Sequence, residues 1–147
     1  MTTRSDRFFF VDTSAFYARL DRSDQWHQRA VLGFLELARR NAILVTSNLV
    51  VAETHNLAWQ RLGFQVARDW LALLADFNVR FQTSEEHQRT EQVLRSPIGP
   101  HLSYVDAASI VVMEAVSLST IFSFDSDFAL AGFSLYPGQT SPVRRRQ

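Results

Sequence analysis

The 147-residue chain contains no cysteine and no lysine. Without cysteine there is no disulfide scaffold, no thiol nucleophile and no cysteine-ligated zinc or iron–sulfur site; the absence fits a reducing compartment. All fixed positive charge is arginine, and the 15 basic residues balance 15 acidic ones to a net charge of zero. No global basic field marks a nucleic-acid binder, so such a function needs a local patch. Arginine suits bidentate phosphate contacts, and its exclusive use is equally what genomic base composition produces. No apolar run approaches the roughly 18–20 residues that span a bilayer. The opening "MTTRSDRFFFVD" has four straight apolar residues before an acid, too few for a signal peptide. A cytoplasmic protein with no membrane segment is expected. What is present is a globular composition: 46% apolar and 20% charged residues, in a length that suits one compact domain.

No repeat, low-complexity segment or linker divides the chain. Short apolar runs alternate with helical patterns. "RFFFVD" (7–12) predicts a buried strand, followed by a helix from Thr13 to about Leu20. "DRSD" (21–24) breaks it, and Asp24 is placed to cap a helix over about 25–40, with Ala30, Leu32, Phe34, Leu35 and Leu37 as its loosely one-sided apolar set. "AILVT" (42–46) predicts a second strand, and Ser47 or Asn48 caps a helix that Gly63 stops. An amphipathic helix over 64–77, a strand over 79–83, a polar exposed helix over 84–96 opened by Ser84, and a loop over 97–103 follow. "YVDAASIVVMEAV" (104–116) is apolar nearly all round and predicts a buried helix. Strands over 120–124 and 133–137 close the pattern. The alternation implies an α/β fold with a mostly parallel sheet covered by helices on both faces, whose ligands bind beyond the carboxyl ends of the strands.

Four acids sit in surroundings unsuited to a solvated charge. Asp12 and Asp125 end strands, Glu53 shares a helix face with Leu49 and Leu57, and Asp106 lies in the first turn of the most apolar helix. Each has a purely structural account. Asp12 and Asp125 suit caps, Ser103 and Asp106 resemble a capping box, and Glu53 suits a salt bridge to a nearby arginine. Together they read differently. Two end neighbouring strands and two lie in the first turns of buried helices, so in a doubly covered sheet all four can converge at one edge, and no matching basic residue lies in their local segments. Clustered carboxylates repel unless a cation fills the space, and all-oxygen ligation favours Mg²⁺ or Mn²⁺. Asp127 is a fifth ligand or a supporting acid. The histidines His27, His55, His87 and His101 show no ligand spacing.

These residues carry a resemblance. Asp12-Thr13-Ser14 after a hydrophobic strand, Val51-Ala52-Glu53 on the helix after the second strand, Ser103-Tyr104-Val105-Asp106-Ala107 opening a buried helix, and Phe124-Asp125-Ser126-Asp127-Phe128 follow the order and spacing of PIN-domain ribonucleases, more narrowly VapC-type toxins, over residues 8 to about 137. The resemblance implies a single PIN-like domain over 1–147, a three-layer α/β/α sandwich with a core at about 8–137 and a loose C-terminal tail. It implies metal-dependent hydrolysis of RNA by Asp12, Glu53, Asp106 and Asp125. Asp12, Asp106 and Asp125 are then direct Mg²⁺ or Mn²⁺ ligands, and Asp125 is favoured over Asp127 as the last acid. Glu53 binds through water or deprotonates the attacking water, and Thr13, Ser14 and Ser103 support ligands or substrate. It further implies a homodimer and a small antitoxin, with Trp59, Phe64 and Trp70 as contact residues or, in the commoner case, core. Arg19, Arg22, Arg29 and Arg144–Arg146 are candidate phosphate contacts or, in the commoner case, solvated charge. The rivals are a haloacid-dehalogenase-like phosphatase, suggested by Asp125-Ser126-Asp127 but opposed by its position near the chain's end, and a catalytically inactive RNA- or protein-binding module of the same fold.

Overall fold

The computed structural model describes residues 7–138; the Arg144–Arg146 tail lies outside them. Five strands form one sheet: β1 (Phe8–Val11), β2 (Ile43–Ser47), β3 (Asn78–Arg80), β4 (Thr120–Phe122) and β5 (Ser134–Tyr136), in the order β3-β2-β1-β4-β5. Every pairing is parallel, with Phe8 opposite Ile43, Phe10 opposite both Val45 and Ile121, and Val11 opposite Phe122. Among the described residues, seven α-helices connect and cover the strands: α1 (Thr13–Leu20), α2 (His27–Arg39), α3 (Asn48–Leu62), α4 (Phe64–Ala72), α5 (Ser84–Arg95), α6 (Tyr104–Ala115) and α7 (Asp127–Leu130). Phe9, Phe10 and Val11 are buried in succession, so both faces of β1 are covered. The result is the three-layer α/β/α sandwich that the strand–helix alternation implies.

The local signals explain most boundaries. Ser47 caps α3 by accepting from Val50 N. Gly63 stops α3 at φ 95°, a left-handed conformation costly for other residues. Ser103 and Asp106 form the reciprocal capping box that opens α6. Elsewhere the structure corrects the expectation. Thr83, not Ser84, caps α5, and this helix is not fully exposed, because Glu86 and Thr90 are buried. Asp24 does not cap α2; its side chain accepts from Trp26 N, one residue ahead of the helix. The inner face of α2 is Ala30, Gly33 and Leu37, while Leu32 and Leu35 are exposed. The helix expected over 64–77 is α4 followed by a 3₁₀ turn at Leu73–Asp76, and the loop at 97–103 holds a second such turn. β4 ends at Phe122, two residues early, because Phe124 N turns away to Ser14 Oγ and the chain enters α7, a one-turn helix too short to announce itself.

Gly33 sets how closely α2 approaches the sheet. A Cβ there would stand 2.7 Å from Phe122 Cζ and 3.4 Å from Tyr136 Cε1. Among the described residues no helix is long and apolar enough to cross a membrane.

Candidate active site

The carboxyl ends of β1 and β4 lie side by side, and the ladder runs one step past β1: Asp12 N donates to Phe122 O at 3.1 Å. That bond fixes Asp12 against the start of the β4–α7 loop. Asp12 is also the N-cap of α1, and it is almost fully buried, at 3% exposure. Its two oxygens are treated differently. Oδ2 accepts from Ser14 Oγ and Ser123 Oγ, both at 2.9 Å, and from Ser14 N at 3.4 Å. Oδ1 is buried with no partner among the described residues. An unpaired buried carboxylate oxygen is costly, and burial, reinforced by the Asp106 charge, pushes the Asp12 carboxyl up to about 7 despite the serine donors.

A cleft of about 560 Å³ opens over Asp12. Thr13, Ser14, Glu53, Ser103, Asp106 and Asp125 line it with Asp12, so seven of the residues singled out in the sequence share one cavity. Asp106 Oδ2 accepts from Ser103 N at 3.1 Å, so its structural role in the capping box is real and leaves the second oxygen over. Partial burial holds its carboxyl above the usual range, opposed by the Ser103 donors and reinforced by the charges of Asp125 and Asp127. Asp125 accepts from Asp127 N at 2.9 Å and is likewise raised, by burial first and then by the Asp127 charge. Asp127 does not line the cleft and acts on it by charge and by that backbone bond. Thr13 is buried with its own hydroxyl unpartnered.

Glu53 departs from expectation. The buried stripe of α3 is Val50, Thr54 and Ala58; Leu49, Glu53 and Leu57 form the neighbouring, half-buried stripe, from which Glu53 and Leu57 face the cleft. Glu53 also sits in the second turn of α3, not the first. Among the described residues it has neither an ion pair nor a hydrogen bond, so the salt-bridge account of it fails.

The structure adds residues that the sequence did not single out as part of a site. Tyr17, Asp24, Trp26, Leu57, Phe124 and Ser126 complete the lining. Ser123, buried behind it, connects Asp12 Oδ2 to Asp125 N. The doubled "SFDSD" around two acids was the available signal for Ser123. Nothing local pointed to Trp26, which reaches the cleft through tertiary folding alone.

Five carboxylates thus line the cleft, and no Arg or His does among the described residues. Among the described residues, no three or more His, Cys, Asp or Glu side chains come together closely enough to hold a metal ion. The donor set nonetheless suits a hard divalent cation: oxygen only, carboxyls raised by burial and by neighbouring acids, and one buried oxygen without a proton donor among the described residues. His27, His55, His87 and His101 stand outside the lining. Of the aromatic candidates, Trp70 is core, whereas Trp59 and Phe64 are 55% and 61% exposed.

Residues 9–134 match the family model described as the PIN domain. Among solved structures the chain is similar to VapC20 of Mycobacterium tuberculosis, a sarcin–ricin loop cleaving toxin, at 31% identity and a TM-score of 0.77, covering 85% of this chain and 95% of that one. It shares its fold with VapBC2 of Rickettsia felis bound to a promoter DNA fragment (13% identity, TM-score 0.65, 87% and 96% covered). It also shares it with a Pyrobaculum aerophilum protein (22% identity, TM-score 0.53, 90% and 88% covered). No curated protein matches the chain.

Proposed function

The chain belongs to the PIN domain family, and from that premise we propose that it is a metal-dependent endoribonuclease, the toxin of a VapBC-type toxin–antitoxin pair. One observation carries the reading: five carboxylates line one cleft with no basic counter-charge among the described residues, and the most buried, Asp12, holds an oxygen without a partner among them. The similar VapC20 cleaves the sarcin–ricin loop, which supports RNA as the substrate class and hydrolysis of a phosphodiester as the reaction.

Asp12, Asp106 and Asp125 are the residues that would hold Mg²⁺ or Mn²⁺. Each already commits an oxygen to fixed donors, so its remaining oxygen is oriented before any ion arrives. Such an ion, when bound, lowers the pKa of water and offsets charge on the phosphate oxygens. Glu53 is the one of the four without a hydrogen bond that restrains it, which suits it to accept the proton of the attacking water. Ser14 and Ser123 hold Asp12 in place, and Ser103 holds Asp106. Thr13 lies in the lining with its hydroxyl buried and unpartnered among the described residues, a donor held in reserve at the base of the cleft.

The antitoxin partner rests on the kinship with VapC20 and the fold shared with VapBC2. The exposed Trp59 and Phe64 are the aromatic candidates for contacts with it or with a second copy in a homodimer. A cytoplasmic site of action is part of the same proposal.

The test is cleavage of RNA by the purified chain with Mg²⁺ or Mn²⁺, with EDTA, and with Asp106→Asn. Activity lost in both controls supports the reading. An inactive binding module of the same fold would cut nothing and would gain no thermal stability from either cation.

A further inference from the structure

α6 brings Asp106 to the cleft and α3 brings Glu53, and one residue outside the cleft joins the starts of these two helices. Gln82 lies in the loop between β3 and α5 and is not part of the lining. Its backbone N donates at 3.1 Å to Oδ1 of Asn48, the first residue of α3. Its side-chain Oε1 accepts at 3.0 Å from the hydroxyl of Tyr104, the first residue of α6. Its Nε2 donates at 3.2 Å to Oγ1 of Thr90, buried on α5. Thr90 gives its own proton to Glu86 O at 2.7 Å, so towards Gln82 it can only accept. That fixes the amide with Oε1 turned to Tyr104. The Tyr104 oxygen is braced from α5 as well: His87 Nδ1 lies 2.6 Å from it, and Glu91 Oε1 lies 2.8 Å from the other ring nitrogen.

Neither helix needs these bonds in order to start. Ser47 caps α3, and the Ser103–Asp106 capping box opens α6. What Gln82 adds is a fixed relation between the two starts. Asp106 lies two residues beyond Tyr104 and Glu53 five beyond Asn48, each within about one and a half helical turns, so each acid moves with its tied end. Resting on the ribonuclease reading, we propose that Gln82 and Tyr104 are positioning residues, which hold the metal ligand Asp106 at a set offset from Glu53, the acceptor of the attacking water's proton. Neither lines the cleft, and both act through the helix starts. The offset matters because a misplacement of about 1 Å can cost about 10²-fold in rate.

The test uses the full chain with three readouts: Mn²⁺ affinity from loss of the free-ion paramagnetic resonance signal, melting temperature in EDTA, and the rate of cleavage of total bacterial RNA at saturating Mn²⁺. Tyr104→Phe removes one oxygen and keeps the ring. It should melt within a few degrees of the parent. Its Mn²⁺ affinity should fall about three- to tenfold, less than the roughly 10- to 100-fold of a group that touches the ligand itself. Its rate at saturating Mn²⁺ should fall about tenfold or more, because saturation restores the ion and not the offset. Gln82→Leu should do the same, and the double variant should be close to the poorer single one, since both break one O–H···O bond. Arg89→Ala is the control. It removes the 3.5 Å ion pair to Glu114, which ties α5 to the last turn of α6, and should leave affinity and rate unchanged. Unchanged affinity and rate in Tyr104→Phe and Gln82→Leu, losses that add in the double variant, or equal losses in Arg89→Ala overturn the positioning role, while Mn²⁺-dependent cleavage by the parent keeps the ribonuclease reading. A parent that neither binds Mn²⁺ nor cleaves RNA overturns both.

Discussion

Ser123 Oγ donates to Asp12 Oδ2 at 2.9 Å, across 111 positions of sequence. The same hydroxyl accepts from Asp125 N at 3.0 Å, so one serine positions two acids from neighbouring strand ends. Removing it leaves Asp12 held by Ser14 and frees the Asp125 backbone. Partners that orient ligands in this way commonly contribute about 10- to 100-fold to metal affinity. Ser123→Ala should therefore raise the Mn²⁺ concentration needed for half-maximal cleavage by roughly tenfold or more, read from a metal titration of activity and of thermal stability. An unchanged requirement would mean that Ser14 alone suffices.

Asp106→Asn separates the structural role of this residue from its chemical one. An asparagine oxygen can still accept from Ser103 N and keep the capping box, so stability in EDTA should change by no more than about 0.5–1 kcal/mol. The charge is lost, and cleavage should fall by about 10²–10³ or more, the scale of a lost electrostatic contact to the transition state. Melting temperature and rate, measured on the same preparation, decide between this and simple unfolding.

The buried Asp12 carboxyl makes stability depend on pH in an unusual direction. Its pKa is about 7 in the folded chain against 3.8 for the unfolded one, so between these values the folded state binds the extra proton. Stability in EDTA should therefore fall as pH rises from about 4 to 7, with a slope up to about 1.4 kcal/mol per pH unit from this group, and level off above 7. Asp12→Asn should flatten the curve and make the metal-free chain more stable at pH 8. Saturating Mn²⁺ should offset the loss at high pH, because the ion replaces the proton as counter-charge. Melting curves at half-unit pH steps, with EDTA and with Mn²⁺, check all three; a metal-free stability that rises across this range would contradict the burial argument.

Much of this site was legible in the sequence because its residues obey local rules as well as global ones. Asp12 ends a strand and caps a helix, and Asp106 completes a capping box, so each has a recognisable setting before its chemistry is considered. Glu53 was placed on the correct helix but in the wrong stripe. The four-residue spacing groups Leu49, Glu53 and Leu57, yet cannot say whether that stripe or the adjacent Val50, Thr54 and Ala58 faces the sheet. Asp24 and Trp26 were out of reach. They lie between helices, where neither periodicity nor turn chemistry reports which distant segment they meet; in the fold Trp26 stacks on Phe124 and both Asp24 and Trp26 line the cleft.

Gly33→Ala tests the packing on which the cleft rests, and two effects of opposite sign compete. Alanine is worth up to about 1 kcal/mol over glycine inside a helix such as α2. Its methyl, however, would stand 2.7 Å from Phe122 Cζ. The Phe122 ring is fully buried between Phe34, Phe124 and Tyr136, so it cannot swing away without moving its neighbours. Overpacking of this kind costs about 1–3 kcal/mol, and the contact is severe enough that the cost should win. The melting temperature should fall by several degrees. The displacement should also reach the site, since Phe122 O holds Asp12 N and the stacked Phe124 follows two residues on. Cleavage should then weaken more in Gly33→Ala than in Leu32→Ala, a substitution one residue away on the exposed face of the same helix. A more stable Gly33→Ala chain with normal activity would show that α2 can retreat from the sheet without disturbing the acids.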